Sequence, residues 1–423
     1  MAVVAAKNST LKAFTVAALA LPGLLPTAKA AQKTTKPVID FQYGHYQESD
    51  DRIAVDIYQG IIALPISKSL AIQSNWVVDT FSGATPVLTM PNSVAQVISG
   101  ASGISGVDDS KTVTADEQAV EVMTGASTRE TRYGIDLGFN YTLNDFVFSA
   151  SGSRSEEPDY LSHGYNLGVE WIFNQKFNTL SLGFGQNFDQ ISPTTRILDE
   201  EKTDYHLQLG FSQVVSKESV LKLSASYTYN DGYLSNPYKK VFIQDLDTNT
   251  NLKTGGFSNV YYENRPDKRH QWSASLAYIQ YISFLKASVQ FDYRYFKDSW
   301  DISSHTFEAI YRQPLSKSWE LVSRLRYYSQ SEAKFYKNFY IQANANNHYS
   351  SDYRLAGFGT LAGGIKLTKE WGLASKFTKS IKIELGVEYS THAADLKLGE
   401  QTTASNLSDF NYILCNSSIN IKF

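Results

Sequence analysis

Cys415-Asn-Ser-Ser-Ile-Asn-Ile-Lys-Phe423 closes the chain as an alternating stretch that ends on an aromatic residue. One face carries Ile413, Cys415, Ser417, Ile419, Ile421 and Phe423. The other carries Asn416, Ser418, Asn420 and Lys422, with Leu414 as its apolar exception. A period of two is the spacing of a strand with unlike faces. A terminal Phe on such a strand is the form of signal by which outer-membrane barrels are recognised for insertion. Phe423 is therefore the expected assembly signal, read by the barrel-assembly machinery, with outer-membrane lipid as the final surroundings. A soluble chain can also end in Phe, so the other terminus decides the matter.

That terminus reads as a secretory signal peptide over residues 1–30. Lys7 and Lys12 supply the positive region, Ala13-Phe-Thr-Val-Ala-Ala-Leu-Ala-Leu21 the apolar core, and Ala28-Lys-Ala30 the small-x-small cleavage pattern. Pro22, Gly23 and Pro26 break the apolar run before it could span a bilayer as a helix. No later segment reaches the ~18 apolar residues a transmembrane helix needs. An exported membrane protein of this kind has to be a barrel.

Residues 31–423 are ample for one barrel of about sixteen strands. Tyr (27) and Phe (23) are abundant, and the single cysteine, Cys415, excludes an internal disulfide. On the apolar face, Cys415 is expected to be an inert packed thiol. Loss of Lys7, Lys12 and Lys29 with the leader takes the net charge from −3 to about −6, which argues against nucleic acid as a partner.

The alternation recurs through the chain. Tyr133, Ile135, Leu137, Phe139, Tyr141 and Leu143 interleave with Gly134, Asp136, Gly138, Asn140 and Thr142. Similar runs start at Tyr205, Leu221, Leu285 and Ile381 and last about ten or more residues, the length of a tilted membrane strand. Connections alternate in length as well. Short ones stand at 65–69, 142–145, 174–176, 216–218 and 314–318; long ones at roughly 82–128, 190–202, 231–266, 332–350 and 393–408. With both termini in the periplasm, every short turn falls there and every long loop outside, the asymmetry of outer-membrane barrels. The expected fold is an all-β antiparallel transmembrane barrel. Trp171, Phe173, Phe211, Tyr311 and Trp319 are placed for one interfacial girdle, and Tyr229, Tyr295 and Phe296 for the other.

Several stretches resemble one family. They are Tyr227-Thr-Tyr-Asn-Asp-Gly-Tyr-Leu-Ser-Asn-Pro-Tyr-Lys239, Asn264-Arg-Pro-Asp-Lys-Arg269, Phe291-Asp-Tyr-Arg-Tyr-Phe-Lys-Asp-Ser-Trp-Asp-Ile-Ser-Ser-His305, Arg324-Leu-Arg-Tyr-Tyr-Ser-Gln-Ser331 and Trp76-Val-Val-Asp-Thr-Phe-Ser-Gly-Ala-Thr-Pro86. They are similar to the domain of unknown function 3570, bacterial outer-membrane barrels. The resemblance implies a fold and a compartment, and no activity. Through gene neighbourhood it also implies flavin-transfer and thioredoxin-like periplasmic proteins as redox company. The Asn-Thr-rich stretch within 240–260 departs from the family pattern.

Among candidate sites, Asp292, Arg294, Arg324, Arg326, Lys382, Glu384 and Glu388 lie on polar strand faces and are expected to line the lumen. They form either a mixed-charge filter or ion pairs that prop the wall. The segment 82–128 either folds inward as a constriction or covers the mouth, and 231–266 is a long external loop. Asp245, Asp247, Asn249 and Asn251 place oxygens at calcium-like spacing. Thr250 occupies the turn position, however, and no Glu closes the set, so a solvated loop is the better reading. Catalytic motifs, a G-x-S-x-G elbow or H-E-x-x-H helix, are missing from the sequence, and no cofactor is expected. Gly357-Phe-Gly-Thr-Leu-Ala362 mimics a dinucleotide loop inside an alternating strand. The expected function is a pore for small solutes. Its alternatives are a closed barrel that anchors redox partners and, less favoured, a barrel-wall enzyme.

Overall fold

The computed structural model describes residues 36–423 apart from 51, 98–103, 108–112, 115–116, 125–126, 195, 247–251, 256–258, 374–377 and 400–408. The leader expected over residues 1–30 lies outside the described residues. Sixteen antiparallel strands close on themselves. They are β1 (Val38–Glu48), β2 (Ala54–Pro65), β3 (Leu70–Gly83), β4 (Ser127–Leu143), β5 (Phe146–Glu157), β6 (Tyr160–Phe173), β7 (Asn178–Ile191) and β8 (Glu200–Ser216). The second half comprises β9 (Ser219–Gly232), β10 (Lys268–Ile282), β11 (Ala287–Asp298), β12 (Ser303–Pro314), β13 (Trp319–Gln330), β14 (Phe358–Gly372), β15 (Ser380–Ala393) and β16 (Phe410–Lys422). Each strand pairs with its neighbours in chain order, and β16 returns to β1 to seal the ring. Closure is what hydrocarbon demands, since an unpaired backbone group there costs several kcal/mol.

The period of two decides which way each side chain points. Ile135, Leu137 and Phe139 on β4, Leu207 and Leu209 on β8, and Leu385 and Val387 on β15 are exposed on the outer wall. Apolar area of that extent and continuity is at rest only in lipid. At the short-turn end, Phe146, Trp171 and Phe173 stack outside the barrel, and the Lys369 ammonium lies 4.6 Å from the Trp319 ring centre. An amphipathic belt of this kind settles at an interface. Cys415 is on the apolar face as expected, but it is exposed. The expectation of a thiol packed within protein is thus corrected, because the outer wall meets lipid. Phe296 is also corrected. It falls on the inward parity of β11 and packs against the cluster around Trp300.

The sorting of connections is confirmed with one amendment. The short turns expected at 65–69, 142–145, 174–176, 216–218 and 314–318 all lie at one end, with both described termini. The long segments all lie at the other, but so do three short connections, 49–53, 158–159 and 299–302. The last is tight because the Asp298 carboxylate accepts the backbone N–H of Trp300 (3.0 Å) and Ile302 (2.9 Å), an Asx-type turn.

Three long loops, 84–126, 233–267 and 331–357, pack together as a cap. Leu88, Met90, Val94 and Val113 from the first share a core with Phe242 and Val260 from the second and Phe339 from the third. A second core holds Val241, Ile243, Tyr340 and Tyr349. Strands Lys240–Asp245, Val260–Tyr262 and Tyr340–Gln342 form one small sheet; Pro86–Pro91 and Ala119–Met123 form a ribbon beside it. The loops rise from separate sectors of the ring, between β3 and β4, β9 and β10, and β13 and β14. A shared core therefore has to bridge the mouth. Of the segment 82–128, residues 82–83 and 127–128 end the flanking strands, and Leu88, Met90, Val94 and Val113 pack into the shared core.

Candidate functional site

All seven charged residues singled out in the sequence take the inward parity, opposite the exposed Phe291, Leu325, Leu385 and Val387. They fall into tiers. Nearest the short turns, Glu384 receives Lys382 (2.9 Å) and Lys366 (3.3 Å). Midway, Arg324 joins Glu308 at 2.7 Å and also Glu388. Beside them, Gln290 donates to Asp292 at 2.8 Å. These groups fit the ion-paired wall better than a bare filter. Arg294 and Arg326 are different. They open into a cavity of about 510 Å³ beneath the cap.

That cavity is bounded by β6–β13 on one side and by cap residues on the other. Its remaining cations carry counter-ions. Arg269 donates to Asp298 at 2.8 Å, and Lys202 lies 2.7 Å from Asp204 and 3.0 Å from Asp189. Arg265 meets Asp352 at 2.7 Å and Glu263 at 2.8 Å. Arg354 bonds the same Asp352 at 2.9 Å. The opposite inner wall is filled. Tyr46, Ile53, Val55, Ile57, Phe81 and Leu414 form an apolar cluster there, which accounts for Leu414 on an otherwise polar face.

Asp352 organises the cap. Buried completely, it would resist ionisation; Arg354, Lys239 and Arg265 around it reverse that and hold its carboxyl well below the ordinary range. For Lys239 burial prevails: it pulls the ammonium down to about 8, only partly opposed by Asp352. Its Nζ donates to the Pro86 carbonyl and so ties the second loop to the first. Tyr238 donates to Asp159 on the barrel rim, and burial together with that carboxylate raises its phenol.

Sequence reading missed Glu263 and Asp352, which lie in loops and follow no period, and also Lys202, which keeps the inward parity of β8 with His206 and Gln208. Arg265 and Arg269 stood within the Asn264–Arg269 motif without being assigned a place. Of the calcium candidates, Asp245 ends a cap strand, while Asp247, Asn249 and Asn251 lie outside the described residues. Among the described residues no cluster of His, Cys, Asp and Glu could hold a metal.

A family model described as "Protein of unknown function (DUF3570)" matches residues 11–200 and 193–414. The chain belongs to the DUF3570 family. A search of curated proteins finds no match for this DUF3570 barrel. Among solved structures it is similar to a bacterial polysaccharide outer membrane secretin, at 8% identity and a TM-score of 0.47, over 92% of this chain and 98% of that one. CdiB from Acinetobacter baumannii matches at 10% identity and 0.46, over 92% of this chain and 60% of that one. Pseudomonas aeruginosa OccD3 (OpdP) matches at 7% and 0.41, over 92% and 91%. All three are distant in sequence.

Proposed function

We propose that this protein is an outer-membrane channel for small solutes, closed at rest by its own cap. In this reading the short turns and termini lie in the periplasm and the cap faces outward. The inner wall carries it. Charged and polar side chains run from Glu384 through Arg324 to the cavity that Arg294 and Arg326 line. Polar groups of this kind suit a hydrated path, since burying them dry without full pairing is costly. The two cores of the cap favour a second reading, a permanently closed barrel that anchors periplasmic redox partners.

Single-channel conductance of the refolded chain in planar bilayers separates the two. The channel reading expects brief openings from the wild type. It expects sustained steps when Tyr340→Ala and Tyr349→Ala loosen the cap, altered further by Arg324→Gln or Glu384→Gln. Silence from both folded proteins would favour the anchor.

A further inference from the structure

We infer that the cavity beneath the cap is a binding site for a small ring-bearing carboxylate, with Arg294 and Arg326 as its anion clamp. This deepens the channel reading by naming a substrate class, and rests on it only for the word substrate. The two arginines stand apart from the other cations around the cavity. Among the described residues neither has a carboxylate within 4 Å, donates a hydrogen bond or lies over an aromatic ring. The Nε of Arg326 is buried with no partner at all. Lys202, Arg265, Arg269 and Arg354, on the same lining, are each matched by an acid. Arg294 is open to the cavity and Arg326 is half-buried, so two cations that no protein carboxylate neutralises face the same confined space and repel each other. The missing charge is therefore expected to come from a ligand.

Geometry sets its form. Arg294 on β11 is in register with Thr306 on β12, and Thr306 with Tyr328 on β13, one inward position above Arg326. Strands two apart stand about 10 Å from each other, within the joint reach of two arginine side chains. A guanidinium fork matches a carboxylate with two parallel bonds. Phe296, Trp300 and Tyr328 give the same cavity aromatic walls, and Ser304 and Thr306 give it hydroxyls. Its volume of about 510 Å³ is that of a small-molecule site. Asp159, the one acid on the lining among the described residues, already accepts the Tyr238 hydroxyl.

Calorimetry of the whole refolded chain in detergent micelles tests this, with benzoate, succinate, inorganic phosphate and neutral benzyl alcohol as probes. Benzoate is expected to bind, and more tightly than the other three. Arg294→Gln and Arg326→Gln should each weaken it at least tenfold, Arg294→Lys less, and Lys382→Gln not at all. Heat-modifiable mobility on gels verifies that each variant folds. Absence of benzoate binding, or binding unchanged in the folded Arg294→Gln/Arg326→Gln double variant, would overturn the site. Succinate or phosphate binding as tightly as benzoate would overturn the recognition of a ring. Because the assay needs no conduction, a silent barrel that binds benzoate refutes the channel alone, and a conducting barrel that does not refutes the site alone.

Discussion

Arg324 on β13 reaches Glu388 on β15 across the intervening strand, and the residue between them in register is Gly364. A Cβ at Gly364 would stand 3.2 Å from the Val387 carbonyl oxygen and 3.3 Å from the Glu388 Cβ. The missing side chain leaves the gap over which the bridge passes. Glu308 grips Arg324 from the other side at 2.7 Å, so one guanidinium ties three strands, β12, β13 and β15, and spans the fourth, β14.

Glu388→Gln should therefore cost about 1–3 kcal/mol, the range for weakening a buried charged hydrogen bond. Gly364→Leu should cost a similar amount by filling the gap. Combined, the two should fall short of additive, because each removes the same bridge. Urea unfolding in lipid vesicles measures all three, and simple additivity would show that the glycine does not serve the bridge.

Removal of Phe423 separates assembly from stability. In the finished barrel its N–H donates to the Pro37 carbonyl at 3.1 Å, a single bond at the β1–β16 seam. Its loss should barely change the unfolding midpoint of refolded protein. Insertion in cells should slow, leaving unfolded chain in the periplasm for proteases. Pulse-chase labelling with heat-modifiable mobility reads this directly, and unchanged insertion would remove the assembly role.

Gly359 is the second of the two glycines of the dinucleotide mimic, and its place in β14 gives it a different task. The Leu396 backbone of the β15–β16 loop lies against it on the outer rim, where the Tyr327 hydroxyl also bonds the Leu396 carbonyl. Gly359→Val should push that loop off the rim and leave the lumen and its ion pairs intact. Faster proteolysis confined to residues 394–409, with conductance unchanged, is the expected result; altered conductance would count against it.

The wall was legible because hydrogen bonding and lipid impose one period on it. Tyr133 to Leu143 alternate for the same reason in the chain and in the barrel. The cap was not legible, because Met90, Phe242 and Phe339 meet only after three loops from distant sectors converge, and no local pattern records that. The inner apolar patch gave one visible trace, Leu414, which broke the alternation of the final strand. Arg294 and Arg326 were seen as inward charges. What distinguished them from Arg324 was the whereabouts of carboxylates on other strands, and spacing along the chain does not carry that information.

Lys239 should make closure of the cap depend on pH. Its folded pKa, lowered by burial to about 8, lies below the 10.5 of a free lysine. Between these values the open loop binds more protons than the closed cap, so stability of the closed form rises with pH. Below about 8 the ammonium is charged in both forms, and the burial penalty is fully present. Above pH 10 the cap tyrosines act the other way, since burial raises Tyr233 to about 12 and the open form then loses protons first. Asp352 adds an acid limb. Its carboxyl is held below the usual range, so its contribution is present above about pH 4 and fades as pH falls further. Protease cleavage within 233–267 should thus slow from pH 8 to pH 10. Lys239→Met should flatten that limb while leaving acid opening in place. A wild-type cleavage rate that is constant or rising over the alkaline window would show that the Lys239 ammonium is not desolvated in the closed cap.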